Sequence, residues 1–442
     1  VEYGDVGRKE RVAPRGVASI AAVREQMQLD RRVVYGFLFL MLAMNAAVFF
    51  AAWKPIMAGK NDFPVFYSNA QMVREGQAAH LYDFDAENSF VHRVSDVRRA
   101  PNNHLPYELL IFIPFTYLRF GAAHLLWTLA SLGMLVGLAA LMRSALSSGS
   151  SFRDTLLTTL AFFPVWYCLL QGQDSILLVF LFALSFWLWK HGRDDAAGFA
   201  LAMGLFRPQL VLPFVLVAFL AGKWKFVRGF VPGAVFVLLV SMWVVGVDGM
   251  AEYARILLSQ GTLGSASALS QQWQVRLGLM PTLRGLLSIV VPASVSANIR
   301  NFLLLCGTSI GLLWAARALR GVKEGAAFDM AFATAVGAVA VVSFHSLPHD
   351  FSLIILPLLI AGDALASGDR AANCGSPYTC VTVGFLLFFS GLYFVLIYAE
   401  KVGLLVLPTV VLLWLINSWE KNGLPARAAQ HRRVEPISIP TS

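Results

Sequence analysis

Apolar runs of bilayer-spanning length recur along almost the whole chain, and they restrict what it can fold into more than any other feature. They cover about 33–53, 105–120, 122–142, 154–171, 174–190, 196–221, 226–246, 300–318, 326–344, 350–366, 380–398 and 403–419, with a shorter stretch at 283–293. A helix needs roughly 20 apolar residues to cross the hydrocarbon core, and helices are one of only two structures that can do so. A water-soluble fold would have to bury most of these helices on every face. Composition agrees, with 57% hydrophobic residues against 14% charged ones. The expected fold class is an all-α polytopic membrane protein with about 12 transmembrane helices.

The net charge of +9 is concentrated at the ends and in a few loops. In a membrane protein this pattern reports orientation and anionic lipid, and no nucleic-acid motif accompanies it. Arg8, Lys9, Arg11, Arg15, Arg24, Arg31 and Arg32 precede the first run. They predict a cytoplasmic arm over 1–32, followed by a run too long for a cleavable signal. The rest divides into a transmembrane domain over 33–419, with external loops at 54–104 and 247–282, and a cytoplasmic disordered tail over 420–442. Lys223, Lys225, Arg228, Arg317, Arg320 and Lys323 then fall inside, as the positive-inside rule asks. Lys190, His191 and Arg193 fall outside, offset by Asp194 and Asp195. An alternative puts that loop inside, makes 196–221 a re-entrant pair hinged at Arg207-Pro208, and needs another segment, such as 105–120, not to cross. Cys168 and Cys306 read as packing residues. Cys374 and Cys380 flank a Gly-Ser-Pro loop and either pair or remain thiols.

Few polar residues interrupt the apolar pattern, so each invites a reading. Asp62 follows the first run by about nine residues and precedes Phe63, Phe66 and Tyr67. It is either a solvated loop acid or a carboxylate set against an apolar, membrane-hugging segment, where it can accept a proton from a hydroxyl. His104 and Glu108 are four apart and share a face if a helix starts there. With Tyr107 they are either interfacial caps and belt residues or groups that bind a polar acceptor and orient Asp62. Two ligand-type residues do not establish a metal site. Gln171-Gly172-Gln173-Asp174 is a tight turn or a polar site. Arg207, inside an apolar run beside Pro208 and Gln209, faces a phosphate, an internal counter-charge or the interface. His345, His349 and Asp350 suit phosphate or sugar binding, although Asp350 can equally cap the next helix. Gln271, Gln272 and Trp273 suit sugar binding, and Trp273 equally suits an interface anchor.

The order Asp62-Phe63-x-x-Phe66-Tyr67, Gly76, Leu81-Tyr82-Asp83 and Leu105-Pro106-Tyr107 resembles glycosyltransferase family 87. The Gly172-Gln173 turn, Arg207-Pro208-Gln209 and His345…His349-Asp350 extend the resemblance over about 33–365. Two departures stand out: Glu108 replaces the Pro of a frequent Tyr-Pro-Pro, and Arg207 replaces a frequent Lys, exchanging a point cation for a fork. The resemblance implies the GT-C membrane fold and a multi-pass enzyme of the bacterial inner membrane, with its active site on the periplasmic side. It also implies inverting transfer of a hexose, in the first instance mannose, from a polyprenyl-phosphate donor to a lipid or glycan hydroxyl. Asp62 would be the general base, and Arg207, His345 and His349 would hold the donor phosphate. Tyr67, His104, Tyr107, Glu108, Gln173, Gln209, Gln272, Trp273 and Asp350 would contact substrate. The implied partners are the donor, the acceptor and membrane lipid. The scheme requires neither metal nor cofactor. A transporter or flippase of lipid-linked sugars is the rival, since broken helices and an intramembrane cation serve it too. A noncatalytic membrane assembly partner is the third class.

Overall fold

A computed structural model describes residues 15–97, 102–146, 151–260, 276–366 and 392–423. Among them there is no strand. The chain is an all-α polytopic membrane protein: five helices or helix segments are long and apolar enough to cross a membrane, Arg32–Ala51, Phe120–Ala145, Trp224–Leu258, Ala297–Leu319 and Gly325–Val342. Three shorter apolar helices accompany them, at Ser175–Lys190, Pro208–Leu220 and Val402–Ser418.

In chain order, α1 (Arg15–Ala51) carries the first span, and α2 (Trp53–Met57), α3 (Phe63–Arg74) and α4 (Phe84–Val91) form the loop region after it. Next come α5 (Leu109–Phe112), α6 (Phe120–Ala145), α7 (Phe152–Ala161), α8 (Phe163–Gln171) and α9 (Ser175–Lys190). They are followed by α10 (Asp194–Ala202), α11 (Pro208–Leu220) and α12 (Trp224–Gln260), the last broken at Gly246. The remainder is α13 (Leu283–Val290), α14 (Ala297–Leu319), α15 (Gly325–Val342), α16 (Ile355–Ala366), α17 (Leu392–Tyr398) and α18 (Val406–Gly423).

Three segments counted as spans are not single crossing helices. Residues 154–171 are two helices, α7 and α8, that meet at the extended Phe162. Residues 105–120 are a short α5 between 3-10 turns at Pro106–Glu108 and Ile113–Tyr117. Pro106 and Pro114 remove backbone donors, which leaves no run long enough to span. Residues 196–221 are a hairpin, because Pro208 starts a new helix after the turn at 203–207. Its two ends meet the same surface. Arg228 forks onto Asp195, with bonds of 2.8 and 2.6 Å. Lys223 donates to the Val322 carbonyl, and Lys190 pairs with Asp329 at 2.7 Å. The basic residues at 190, 223, 228 and 323 therefore gather at one end of the bundle, the arrangement of the re-entrant alternative.

Lipid is as apolar as leucine, so helices hold together in it by close packing more than by hydrophobic burial. The clearest case joins α10 to α12. A Cβ on Gly198 would lie 2.0 Å from the Phe226 carbonyl oxygen, and one on Gly229 would lie 1.9 Å from that of Asp195. Only glycine allows backbones this near. Around this contact Phe182 meets Phe214 at 5.3 Å and Phe186 meets Phe332 at 4.6 Å, which fastens α9, α11 and α15 into one core.

From the basic end, α9 and α15 reach the same place. At 1.5 Å per residue each is roughly 24–27 Å long, close to the hydrocarbon thickness. Their far ends are Asp174 and the turn at 343–350, and these meet.

Candidate active site

Five connections converge at that far end: 61–62, 102–108, 172–174, 203–207 and 343–350. The backbone stitches the first to the third. The Asp62 amide donates to the Gln171 carbonyl at 3.1 Å, and the Asn61 side chain donates to Leu170 O at 3.0 Å. Asn61 also meets His124 Nε2 at 2.9 Å. Gly172 makes this possible. Its φ is +66°, and a Cβ there would lie 2.6 Å from Phe63 Cβ. The left-handed turn aims Gln173 back at Asp62.

Asp62 occupies the N-cap of α3, yet its side chain does not cap the helix. It is half-buried and accepts from Gln173 Nε2 at 2.8 Å. Gln173 Oε1 in turn accepts from Arg207 Nη2 at 2.6 Å. The guanidinium also grips Asp174, with Nε at 3.2 and 3.3 Å from its two oxygens and Nη2 on Oδ1. Nη1 lies 3.5 Å from Asp350 Oδ1. Arg207 is 3% exposed and Asp174 is fully buried, so each ion depends on the other: a buried charge without its partner costs several kcal/mol, on the order of 3–5.

Several expectations change here. Phe63, Phe66 and Tyr67 do not hug the membrane. They lie i, i+3 and i+4 on α3 and pack inward, with Phe66 stacked on Phe112 at 5.0 Å and Phe63 edge-on to His124 at 4.9 Å. Tyr67 donates its hydroxyl to Leu118 O at 2.8 Å, a bond within the fold. Tyr107 is likewise committed: it donates to Met203 O at 2.8 Å and accepts from Phe206 N at 3.0 Å, pinning the turn that delivers Arg207. Asp350 does not cap the following helix. Its Oδ2 accepts from Leu347 N and its Oδ1 from Ser175 Oγ, both at 2.9 Å, which closes the turn backward and ties it to α9. Arg207 meets internal acids with Nε and Nη2, which leaves mainly Nη1 for any ligand. Gln209 is buried at the start of α11, two residues after Arg207. Gln271, Gln272 and Trp273, like Cys374 and Cys380, lie outside the described residues.

His104 and Glu108 do meet, at 2.6 Å, although a 3-10 turn and not an α-helix brings them together. Asp174 Oδ2 is 3.4 Å from the same imidazole nitrogen. Burial opposes a charged His104, but Glu108 and Asp174 outweigh it and hold its pKa up at about 9. Ligand atoms of His104, Glu108 and Asp174 lie within 4.8 Å of one another, so their spacing suits a cation. The positive charge already present there is the Arg207 guanidinium bound to Asp174, with His104 and Glu108 joined by a short bond beside it.

His345 and His349 complete the site from the other side. Both are buried, and His345 Nδ1, Ser346 Oγ and His349 Nε2 have no hydrogen-bond partner. The Tyr167 ring lies parallel to that of His349, 6.5 Å away. The charge of Asp62 acts on both Tyr167 and His349.

Residues 106–344 match the model of glycosyltransferase family 87. The chain belongs to glycosyltransferase family 87. No curated protein and no solved structure matches it. Family 87 membership makes this a membrane glycosyltransferase, so the buried polar group at the meeting of five connections is the natural candidate for its active site. Sequence reasoning left Asp174 out of the site, although it sits in the same polar interruption as Gln173. It also left out Ser175 and Tyr167, which give no signal against their apolar neighbours.

Proposed function

We propose that this family 87 enzyme moves a hexose, in the first instance mannose, from a polyprenyl-phosphate donor to a hydroxyl of a lipid or glycan, with inversion. The observation that carries this reading is the state of Asp62. It is a half-buried carboxylate at an N-cap that does not cap, held instead by Gln173 against a buried cation. A general base needs such placement: a carboxylate held in a fixed position beside the cation that will face the donor phosphate.

In the proposed reaction the acceptor oxygen attacks the anomeric carbon from the face opposite the phosphate. The new oxygen–carbon bond forms as the bond between that carbon and the phosphate oxygen breaks. The electron pair leaves with the phosphate, and the hydroxyl proton goes to Asp62. His345 and His349 meet the phosphate, and Arg207 adds positive charge through Nη1. His104, Glu108 and Gln173 keep the base and the cation in register. Orientation follows from the ends of the bundle. The basic loops gather opposite the site, and by the positive-inside rule this supports a site on the external face, which in the proposed reading is the periplasmic side of a bacterial inner membrane. The polyprenyl tail then lies in the bilayer and the sugar phosphate enters from its outer leaflet.

The test is Asp62→Asn in purified protein given polyprenyl-phosphate-mannose and candidate lipid acceptors. Donor binding should persist while transfer falls by about a thousandfold or more, in line with loss of a positioned base. Unchanged transfer by the variant overturns the assignment of Asp62. Movement of lipid-linked sugar across vesicles without any transfer would favour a flippase.

A further inference from the structure

We propose that Arg284 and Ser346 complete the cradle for the departing phosphate, so that the phosphate is gripped between α13 and the 343–349 turn as well as by the histidines. This inference rests on the donor reading above and adds two residues to it.

The geometry comes from three observations. Arg284 is buried, 4% exposed, on an eight-residue helix whose exposed positions are Ser288 and Val290. Thr282 caps that helix by accepting from the Gly285 amide, which fixes the first turn and with it the residue at position 284. Arg284 Nη1 donates to the Phe344 carbonyl at 2.9 Å, so the guanidinium is clamped onto the backbone just before His345. A guanidinium is a rigid fork, so clamping one arm holds its charge beside the turn.

The turn it touches is rich in unmatched polar atoms. His345 Nδ1, Ser346 Oγ and His349 Nε2 are all buried and all lack a hydrogen-bond partner. Buried polar atoms without partners are costly, about 1–3 kcal/mol each, and three in five residues call for an explanation. An oxyanion supplies one, because a hydroxyl and an imidazole N–H can each donate to it. Both Arg207 and Arg284 act electrostatically on His345. Asp350, the acid of this turn, is bonded to Ser175, the Leu347 amide and Arg207, and its Oδ1 lies 3.7 Å from His349 Nε2, an ion-pair distance beyond hydrogen-bond reach.

The chemistry explains why a second cation belongs there. A polyprenyl-phosphate sugar is a phosphodiester with one negative charge. When the anomeric bond breaks, the electron pair passes to the phosphate oxygen and a phosphomonoester leaves with a second negative charge. Arg207 is largely occupied by Asp174 and Gln173. Arg284 is placed to meet the charge that develops, and Ser346 to donate to one of its oxygens.

The experiment measures binding of polyprenyl monophosphate to the full-length protein in detergent, alongside donor and acceptor KM. Inorganic phosphate and phosphatidylglycerol serve as competitor arms. Arg284→Gln should weaken polyprenyl monophosphate binding and raise donor KM by about tenfold or more, with acceptor KM unchanged, as expected for loss of a charge-assisted bond. Arg284→Lys should recover part of the loss. Ser346→Ala, which removes one hydroxyl and is safe for folding, should weaken binding about three- to fivefold for a neutral donor. Wild-type affinity in both Arg284→Gln and Ser346→Ala overturns the cradle, as does equal competition by phosphatidylglycerol, which marks a general anionic-lipid anchor. Competition by inorganic phosphate at high concentration supports it. If the wild-type protein itself does not bind polyprenyl monophosphate, the donor reading fails first, and that result differs from binding that the variants leave intact.

Discussion

Gln173 donates to the carboxylate of Asp62 at 2.8 Å, and the same side chain accepts from Arg207. One neutral amide thus joins the proposed base to the buried cation. Its two ends have opposite polarity, which suits the two partners: N–H toward the carboxylate, C=O toward the guanidinium. A glutamate at 173 could keep the bond to Arg207 but would face Asp62 with like charge.

The first prediction follows directly. Gln173→Leu and Gln173→Glu should each lower kcat by about 10–100-fold, the equivalent of one hydrogen bond to a charged group, roughly 1.5–3 kcal/mol. Donor KM should stay within about threefold, since the amide touches the base and not the donor phosphate. Single-turnover measurements at saturating donor separate the two quantities. A variant that loses donor affinity while keeping kcat would remove Gln173 from this role.

The second prediction concerns Arg207. Its partners Asp174 and Asp350 are buried, and truncation to Met leaves both uncompensated. Arg207→Met should therefore cost about 3–5 kcal/mol of stability, read as a lower melting midpoint or as loss of extractable protein. Arg207→Lys should restore only part of it, because an ammonium cannot repeat the fork that reaches both oxygens of Asp174 and the Gln173 carbonyl. Asp174→Asn combined with Arg207→Met should be less damaging than the sum of the two single changes, since each removes the other's orphaned charge. Additive losses would mean the pair is not coupled as drawn.

Much of this was legible before any coordinates. Apolar run length alone fixes an all-helical membrane protein, and Pro208 after Arg207 marks the break where α11 begins. Asp62, Gln173, Arg207, His345 and His349 stand out because polar residues are rare against such a background. What periodicity does not reveal is which polar side chains face one another. Asp174 reads as part of a turn, and only folding shows it opposite Arg207. Tyr67 and Tyr107 read as substrate contacts because aromatic hydroxyls often are; their bonds to Leu118 and to Met203 and Phe206 depend on residues far along the chain. The hairpin at 196–221 was foreseeable from the misplaced basic loop at 190–193, but choosing it required the contacts of Asp195 with Arg228 and of Lys190 with Asp329. Arg284 lies in the short apolar stretch at 283–293, where run length suggests an interfacial helix and says nothing of which side chain turns inward.

The third prediction is a pH dependence. Glu87 on α4 is fully buried and fastens the loop region to the site: Asn69 donates to one of its oxygens at 2.8 Å and the Asn102 amide to the other at 2.9 Å. Asn102 in turn accepts from the His104 amide at 3.1 Å. Burial pushes the Glu87 carboxyl up to about 8 from its usual 4.5, against the pull of Asn69, Asn102 and His104. The folded state therefore keeps a proton that the unfolded state gives up near 4.5. Stability from this group is fully present below about pH 4.5, declines as pH rises, and is gone once the folded carboxyl ionises above about 8. The total is on the order of a few kcal/mol. Glu87→Gln keeps a neutral group of the same shape and cannot ionise. Melting midpoints taken from pH 5 to pH 9 should fall more steeply for the wild-type protein than for Glu87→Gln, because other titrating groups contribute to both and cancel in the difference. Parallel curves would show that Glu87 is already ionised across this range and that the two amide bonds, not a retained proton, make its burial tolerable.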